Sequence, residues 1–330
     1  MEKALLVVKL ARPRTWTFAI VSYLFGYMAT STPITWQIIL GVIIFAFGTA
    51  ATNLINVYTD IEEDAINLPF RMEMVRKLGR RNLEYVLLSI YPLILILSAP
   101  FGLHFVLVVA FAELDSIAYS LPPLRFKRNP VTALIAFSGA VILPFIAGLV
   151  IAGSSLLNPL LIFLGSFMFA YGTVKNIPDI MGDFRTGLKT TATFSVNLKR
   201  TVRLSAFLLL VPYIVLFSMV VLNMLSSVYL ADVVFLPFVA YWTLRNNKAS
   251  NLATLEQLHT FGFIYAVSFI LFNLILTYPS QLSLGISTLI LSFILIVTKA
   301  GMDSRQRHPA KNFGIQNLKL EEENFGSYMH

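Results

Sequence analysis

Long apolar stretches separated by short polar segments recur along nearly the whole chain. Each is close to the roughly 20 residues that a helix needs to cross the hydrocarbon core of a bilayer. This pattern predicts ten membrane-spanning helices, approximately at residues 15–33, 36–57, 84–99, 102–120, 130–152, 157–175, 201–222, 227–245, 258–277 and 281–300. The last two stretches are divided only by the short segment 277–281, so they form either two spans or a re-entrant hairpin. The expected fold class is therefore all-α, a polytopic membrane bundle of nine to ten transmembrane helices.

The two ends of the chain depart from this pattern. The first residues, MEKALLVVKLARPRTW, are basic and amphipathic. They predict a helix on the membrane surface that leads into the first span. The last thirty residues are polar and contain an acidic run at residues 321–323. We expect one transmembrane domain over residues 1–300 and a flexible cytoplasmic tail over residues 301–330.

Composition supports the membrane assignment. Of the 330 residues, 57% are hydrophobic and 13% are charged, and the mean hydropathy is +0.74. A soluble domain carries roughly a quarter charged residues. The chain contains no cysteine, which excludes disulfides, thiolate zinc sites and cysteine nucleophiles.

The basic residues lie on one side of the predicted bundle. The loops near residues 31–33, 100, 154–155, 223–227 and 279 contain no Lys or Arg, and all 25 basic residues lie in the other connections or at the two ends. Positive residues concentrate in cytoplasmic loops, so both termini are predicted to be cytoplasmic. The net charge of +8 is then a topology signal, and we expect no nucleic-acid partner.

Two groups of acidic residues share one spacing. Asn56, Asp60 and Asp64 stand four residues apart after the second span, and Asp179 and Asp183 repeat the spacing after the sixth. On one helical face, like charges at this spacing cost roughly 0.2–0.5 kcal/mol per pair. Mg²⁺ would neutralise them, because it takes carboxylate oxygens and completes its shell with water and substrate phosphates. The simpler interpretation is that these acids are solvated or paired with nearby Lys and Arg.

The location of both groups indicates a class of substrate. They lie at the cytoplasmic ends of spans, where water meets hydrocarbon. A molecule with a highly charged head and a long apolar tail suits this position, and a prenyl diphosphate has that shape. A leaving diphosphate needs cationic partners beyond the metals, and the basic residues nearby are Arg71, Lys175, Arg185 and Lys189.

Four short motifs follow one another along the chain. They are RPRTW at residues 12–16, the segment from Asn56 to Arg71, YSLPPLRFKR at residues 119–128, and the segment from Tyr171 to Gly187. In this order and spacing they resemble the UbiA superfamily of intramembrane prenyltransferases, over roughly residues 11–277. The string KNIPDIMGD is similar to homogentisate prenyltransferases, and the segment from Asp64 to Arg71 is similar to chlorophyll synthases. Departures from the pattern are Asn176, Met181, the segment Met72–Val75 and the tenth apolar stretch.

The resemblance implies a fold and a set of ligands. The fold is nine helices around a central cavity with a site on the cytosolic side. The implied ligands of two or more Mg²⁺ ions are Asn56, Asp60, Asp64, Asp179 and Asp183. The implied diphosphate-binding residues are Asn56, Asn67, Arg71, Tyr171, Lys175 and Lys189. Metal ions withdraw charge from the leaving group, so that the allylic C–O bond breaks with carbocation character.

Polar and aromatic groups inside the spans are candidates for the acceptor side of the reaction. A carboxylate in a span costs roughly 2.5–3.5 kcal/mol at the bilayer centre, so Glu113 and Asp115 are expected to line a cavity. We interpret Asp115, which shares a helical face with Tyr119, as the residue that orients or deprotonates the acceptor. The competing interpretation is an ion pair with Lys175 or an Arg. Candidates for stabilising the cation by cation–π attraction are Trp16, Tyr58, Tyr119 and Tyr171.

The expected activity is Mg²⁺-dependent transfer of an isoprenoid chain to a lipophilic acceptor. The subfamily resemblance favours an aromatic acceptor, and a non-aromatic alcohol or acid stays open. One alternative is a terpene cyclase of the same superfamily, which acts on the prenyl diphosphate alone. The other is a secondary transporter, in which Glu113 and Asp115 bind a coupling ion. Transporters place such sites near the bilayer midplane, whereas most acids here cluster at one surface.

Overall fold

A computed structural model of the chain describes residues 2–28, 35–194, 198–249 and 252–305. These ranges contain α-helices and short 3₁₀ helices, and no β-strand is found in them. The α-helices are α1 (Glu2–Leu10), α2 (Pro13–Tyr27), α3 (Trp36–Thr59), α4 (Ile61–Asn67), α5 (Pro69–Leu78), α6 (Arg80–Ser98), α7 (Leu103–Ser120), α8 (Pro130–Ala152), α9 (Leu160–Asn176), α10 (Ile180–Arg185), α11 (Leu198–Val221), α12 (Leu236–Asn247), α13 (Leu252–Thr277) and α14 (Gln281–Lys299).

The predicted spans correspond to helices. Within the described ranges, nine helical segments are long and apolar enough to cross a membrane: Trp36–Thr59, Arg80–Phe101, Leu103–Ser120, Pro130–Ala152, Leu160–Asp179, Leu198–Val221, Ser227–Asn247, Thr254–Thr277 and Gln281–Lys299. The first predicted span corresponds to α2, which has 15 residues. The all-α polytopic fold is confirmed. Helices α13 and α14 are each long enough to cross, which favours two spans over a re-entrant hairpin.

Helices α2 and α8 pack at the centre of the bundle. A Cβ atom at Gly26 would overlap the carbonyl oxygen of Phe145 and lie 2.9 Å from its carbon. At Gly148 a Cβ atom would lie 2.7 Å from the carbonyl carbon of Gly26. Small residues let membrane helices approach this closely. Around this pair, one apolar cluster joins α2 and α8 to α9, α11 and α13, and another joins them to α3, α6 and α7.

Each acidic motif lies at a point where a long helix ends and a short helix follows. Helix α3 ends at Thr59, Asp60 has φ −103° and ψ 31°, and α4 begins at Ile61. Helix α9 ends at Asn176 and is followed by a 3₁₀ turn and α10. The expected single helical face from Asn56 to Asp64 is therefore interrupted at Asp60. The backbone N–H of Asp64 still bonds to the carbonyl of Asp60 at 2.7 Å, so the chain bends without losing its hydrogen bonds.

The residues that follow the boundary predicted at residue 300 are buried against the N-terminal part of the chain. Asp303, Ser304 and Arg305 are 2%, 1% and 3% exposed. The amide of Ser304 donates to the carbonyl of Lys9 at 3.0 Å, which joins the segment after α14 to the N-terminal helix. These residues are polar, and ion pairs accompany the burial of Asp303 and Arg305. The rest of the predicted tail, residues 306–330, lies outside the described residues.

Candidate active site

Asn67 holds the two acidic motifs together. Its Nδ2 donates to the backbone carbonyl of Asp179 at 3.1 Å, and the amide of Gly182 donates to its Oδ1 at 2.9 Å. Asn67 is 3% exposed, and a Cβ atom at Gly182 would lie only 2.6 Å from its Cγ. The glycine is needed so that α4 can approach α10. The two motifs, which are 115 residues apart at this bond, therefore meet in the folded chain.

Three of the four predicted aspartates are paired with cationic side chains. Asp60 forms an ion pair with Lys127. Both oxygens of Asp64 accept from one η nitrogen of Arg71, at 3.0 and 2.8 Å. Asp179 accepts two bonds from a guanidinium that we did not assign to the site: Arg305 Nη1 and Nη2 donate at 3.1 and 2.8 Å.

Asp183 differs from the other three aspartates. It is 6% exposed, and the hydroxyl of Thr190 donates to its Oδ2 at 3.0 Å. Among the described residues it forms no ion pair. Burial, and next the carboxylate of Asp179, raise the pKa of Asp183 well above its usual range. Burial also raises the pKa of Asp64, although Arg71 opposes the shift. A cation bound beside them would stabilise the ionised form of both carboxylates, which burial disfavours.

The donor chemistry fits Mg²⁺, although the ligands are not assembled around one point. The oxygens available are four carboxylates and the amide oxygen of Asn56, which accepts from Ser120. Such hard oxygen donors are the ligands that Mg²⁺ takes. In the described ranges no three acidic or histidine side chains converge closely enough to hold one ion. An ion at this site would compete with Lys127, Arg71 and Arg305 for the carboxylate oxygens.

A pocket begins beside the motifs and runs between the helices. Asn56, Lys175, Arg12 and His259 line one part of it, and apolar and aromatic residues of α2, α3, α7, α8 and α9 line most of the rest. None of the four aspartates lines the pocket. The ammonium of Lys175 donates to the hydroxyl of Tyr119 at 3.3 Å and lies 4.7 Å from the ring centre of Phe137. The pocket thus combines a few charged and polar side chains with a mostly apolar lining.

The two carboxylates inside the fourth predicted span both line this pocket. A Cβ atom at Gly139 would lie 2.8 Å from Oδ2 of Asp115, so the carboxylate packs against α8. Glu113 is 7% exposed, and its Oε1 is buried without a hydrogen-bond partner. Among the described residues Asp115 forms no ion pair, so the competing interpretation, a pair with Lys175, is not what the structure contains.

Two predicted diphosphate-binding residues have different surroundings. Lys189 is exposed, while its neighbour Thr190 is buried against Asp183. Tyr171 is buried in the pocket wall, with its ring centre 5.8 Å from that of Phe18 and 6.0 Å from that of Phe137. The side chain of Met181, one of the departures noted above, lies outside the described part of the structure.

Sequence reasoning missed four side chains at the site. They are Thr190, Glu256, Asp303 and Arg305. Arg305 counted only as one more basic residue on the cytoplasmic side, because charge alone does not distinguish a topology signal from a ligand. The signal available for Glu256 was its spacing to His259 in an otherwise apolar helix; the two side chains lie 3.9 Å apart.

The fold and the site together define an integral membrane protein in which two acidic motifs meet beside an intramembrane pocket. The chain belongs to the UbiA prenyltransferase family, whose model matches residues 16–267. This match confirms the resemblance to the UbiA superfamily that the four motifs indicated. It also confirms the assignment to the prenyltransferases.

Curated relatives in this family act on different acceptors. The chain is 29% identical over 230 residues to digeranylgeranylglyceryl phosphate synthase of Korarchaeum cryptofilum, covering 68% of this chain and 79% of the relative. It is 29% identical over 221 residues to lycopene elongase/hydratase of Corynebacterium glutamicum, covering 64% and 76%. It is also 29% identical over 202 residues to chloroplastic 2-acylphloroglucinol 4-prenyltransferase of Humulus lupulus, covering 57% of this chain and 48% of that protein.

Solved structures share the fold. A UbiA homolog from Archaeoglobus fulgidus, solved with DMAPP and Mg²⁺, superposes with a TM-score of 0.60 at 20% identity, covering 80% of this chain and 98% of that one. A structure of digeranylgeranylglyceryl phosphate synthase superposes with a TM-score of 0.55 at 19% identity, covering 92% and 98%.

Proposed function

We propose that this protein transfers an isoprenoid chain from a prenyl diphosphate to a lipophilic acceptor, with Mg²⁺ as cofactor. The observation that carries the proposal is the junction of the two acidic motifs through Asn67, beside a mostly apolar pocket that Asn56 of the first motif and Lys175 line. A prenyl diphosphate matches this arrangement, since metal ions on the motifs and the nearby basic residues suit its head, and the space between the helices suits its tail. The homolog structure solved with DMAPP and Mg²⁺ supports the same donor class.

The proposed metal ligands are Asp60, Asp64, Asp179, Asp183 and Asn56. Bound Mg²⁺ would neutralise charge that develops on the leaving diphosphate. Arg71 and Lys175 supply further positive charge near the motifs, and hydrogen bonds from charged donors to phosphate are roughly twice as strong as neutral ones. Lys189 is exposed, so it is a weaker candidate for a phosphate ligand than its place in the sequence suggested.

The pocket would then separate the reacting atoms from water. The allylic C–O bond breaks, the diphosphate leaves with the electron pair, and the acceptor's nucleophilic atom bonds to the carbon that has lost it. The acceptor's proton passes to Asp115, which, like Glu113, lines the pocket and forms no ion pair among the described residues. Aromatic rings of the wall, such as those of Tyr119, Tyr171 and Phe137, face the space in which the cation would form. An apolar wall also keeps out water, which would otherwise capture the cation.

The acceptor remains the least constrained part of the proposal. Relatives named for an aromatic acceptor, a glyceryl phosphate lipid and lycopene are equally similar to this chain, at 29% identity. The aromatic acceptor favoured by the motifs stays a prediction. The family assignment favours an enzyme over a secondary transporter, and a cyclase differs from a transferase in needing no acceptor.

Diphosphate release by the full-length protein in detergent tests the proposal. Geranyl, farnesyl and geranylgeranyl diphosphate are each supplied with and without Mg²⁺, and with an aromatic or an ether-lipid phosphate acceptor. Asp60→Ala and Asp179→Ala are expected to lower release by about 100-fold or more, as loss of a group that stabilises transition-state charge does. Glu62→Ala is the matched control, because Glu62 lies between two motif aspartates and is exposed.

The outcomes separate the candidate activities. Release that needs Mg²⁺, both aspartates and one acceptor establishes transfer and identifies the substrates. Release without any acceptor would show cyclisation or hydrolysis instead. Folded protein that releases no diphosphate from any donor would refute the enzymatic proposal.

A further inference from the structure

The segment after the last helix enters the site through a network of ion pairs. Asp303 lies 3.2 Å from Nε of Arg12 and 3.0 Å from Nη2 of Arg14, and it also accepts from the backbone N–H of Arg305 at 2.9 Å. Its side chain is 0% exposed. Asp303 therefore fixes the direction in which the next two residues leave α14.

Those two residues each contact one of the two acidic motifs. The hydroxyl of Ser304 accepts from Nε of Arg71 at 3.2 Å, and Arg71 in turn holds Asp64. Arg305 pairs directly with Asp179. The second η nitrogen of Arg71 is buried without a hydrogen-bond partner. Two buried guanidinium groups thus lie beside the motifs, and one of them has an unused donor.

Arg305 is held by two carboxylates, and its Nη2 contacts both: it donates to Asp179, and it lies 3.5 Å from Oε2 of Glu256. Its Nη1 and Nη2 donate to Asp179 at 3.1 and 2.8 Å. Its Nε donates to Glu256 at 3.0 Å. If Asp179 becomes a metal ligand, Nη1 loses its acceptor and Nη2 keeps only the long contact with Glu256, while Nε keeps its bond to Glu256. The guanidinium would then stay in place, with donors available to an anion bound near Asp179.

We propose that Arg305 is a diphosphate-binding residue, supplied to the active site by the C-terminal segment and positioned by Asp303 and Glu256. The inference rests on the proposed function, since it needs a metal-bound diphosphate at Asp179. A planar guanidinium matches two phosphate oxygens at once. A buried N–H donor left without an acceptor is costly, so the loss of Asp179 to a metal favours a new anionic acceptor for the donors that Glu256 does not satisfy.

A second role for Arg305 is compatible with the same contacts and makes the opposite prediction. If Arg305 only takes the place of a metal cation on Asp179, then removing it leaves diphosphate affinity unchanged and strengthens Mg²⁺ binding. If Arg305 binds diphosphate, then removing it weakens diphosphate binding at saturating Mg²⁺. The two roles are therefore separated by measuring the two affinities independently.

The test is isothermal titration calorimetry of inorganic pyrophosphate, at saturating Mg²⁺, into the full-length protein in detergent. Arg305→Ala is expected to weaken pyrophosphate binding by about 10-fold or more, the effect of losing a charged hydrogen-bond donor. Arg305→Lys keeps a charge but not the fork, and is expected to fall between wild type and Arg305→Ala. Lys299→Ala is the matched control, because Lys299 is an exposed basic residue at the end of α14 and should bind like wild type.

Kinetics give a second readout on the same variants. The KM for the prenyl diphosphate is expected to rise in Arg305→Ala, while the Mg²⁺ concentration needed for half-maximal release does not fall. Unchanged pyrophosphate affinity together with tighter Mg²⁺ binding would overturn the inference and leave the proposed function intact. Wild-type protein that binds no pyrophosphate and releases none would refute the proposed function itself. If Arg305→Ala does not fold, wild-type affinity in Arg305→Lys overturns the inference.

Discussion

At the scale of single residues, two buried aspartates near the site have opposite electrostatic surroundings. Asp183 is buried beside another carboxylate, which raises its pKa. Burial alone would raise the pKa of Asp303 too, but Arg12, Arg14 and the backbone N–H of Arg305 outweigh it and hold the pKa at about 2. The same substitution at these two positions should therefore change stability in opposite directions.

Asp183→Asn is expected to stabilise the protein in the absence of metal. At neutral pH the charged form of Asp183 is disfavoured by burial, and Asn removes the charge while it still accepts from Thr190. A gain of about 1 kcal/mol corresponds to a melting temperature higher by about 2–4 °C. Thermal unfolding in detergent with a chelator measures the gain. Diphosphate release by the same variant should fall by about 100-fold. A variant that is less stable and equally active would contradict both expectations.

Asp303→Asn is expected to destabilise the protein at neutral pH. The folded pKa of about 2 lies below the ordinary value of 3.8, so the ionised group contributes stability above pH 3.8 and loses it as the pH falls towards 2. This difference corresponds to about 2.5 kcal/mol. Chelated wild type and variant are compared by thermal unfolding at neutral pH, with Asp183→Asn measured alongside. A melting temperature equal to wild type would show that the ion pairs of Asp303 contribute nothing.

At the scale of helices, close approach depends on glycines whose missing side chains leave room for a neighbour. Gly26 and Gly148 allow α2 to approach α8, and Gly182 allows α10 to approach Asn67. The first contact joins the two halves of the bundle and the second joins the two acidic motifs. Substitutions at these positions test the fold and the site separately.

Gly148→Ala is expected to weaken the packing of α2 on α8. The added methyl would overlap the backbone at Tyr23 and Tyr27, and overpacking of this kind costs about 1–3 kcal/mol or more. Gly285→Ala is the matched control, since a Cβ atom there meets nothing within 4 Å. Thermal unfolding and size-exclusion chromatography in detergent compare the two. Equal stability of both variants would mean that the contact is not tight.

Gly182→Ala is expected to lower activity by separating the motifs. The methyl would displace Asn67, which then loses its bond to the Gly182 amide, at a cost of about 1–3 kcal/mol for the buried groups left unpaired. Asn67→Ala breaks the same bond, so the double variant should be no worse than the more impaired single one. Diphosphate release and its Mg²⁺ dependence are measured for all three. Additive losses would show that the two residues act independently.

At the scale of the whole molecule, the basic residues on one side of the bundle predict how the protein is oriented in the membrane. This prediction does not depend on the proposed chemistry. The absence of cysteine allows single cysteines to be labelled without a background. Lys248→Cys lies on the basic side, and Ser155→Cys lies in a loop without Lys or Arg; both positions are exposed. A membrane-impermeant thiol reagent should label Ser155→Cys in intact cells and Lys248→Cys only after lysis. The reverse pattern would invert the predicted topology.

Much of this architecture follows from the sequence because hydropathy and motif spacing are properties of neighbouring residues. The ten apolar segments were predictable on that basis, and so was the position of both acidic motifs at the ends of helices. The bend at Asp60 was not, because it depends on where α4 docks against α10. The contacts that Asp303 and Arg305 make were also not predictable from the sequence. Their partners are far away in the chain, and a polar segment after the last span gives no local sign that it is buried.

The ion pairs that join the N-terminal residues to the segment after α14 also have a consequence for biosynthesis. Arg12 and Asp303 are 291 positions apart, and Arg14 is buried beside the same carboxylate. At the ribosome's rate of roughly 5–20 residues per second, about 15–60 s pass between the emergence of these arginines and that of their counter-ion. During that interval the nascent chain carries unneutralised guanidinium groups at the point where its first span enters the bilayer. Anionic lipid head groups are suitable temporary partners for them until translation is complete.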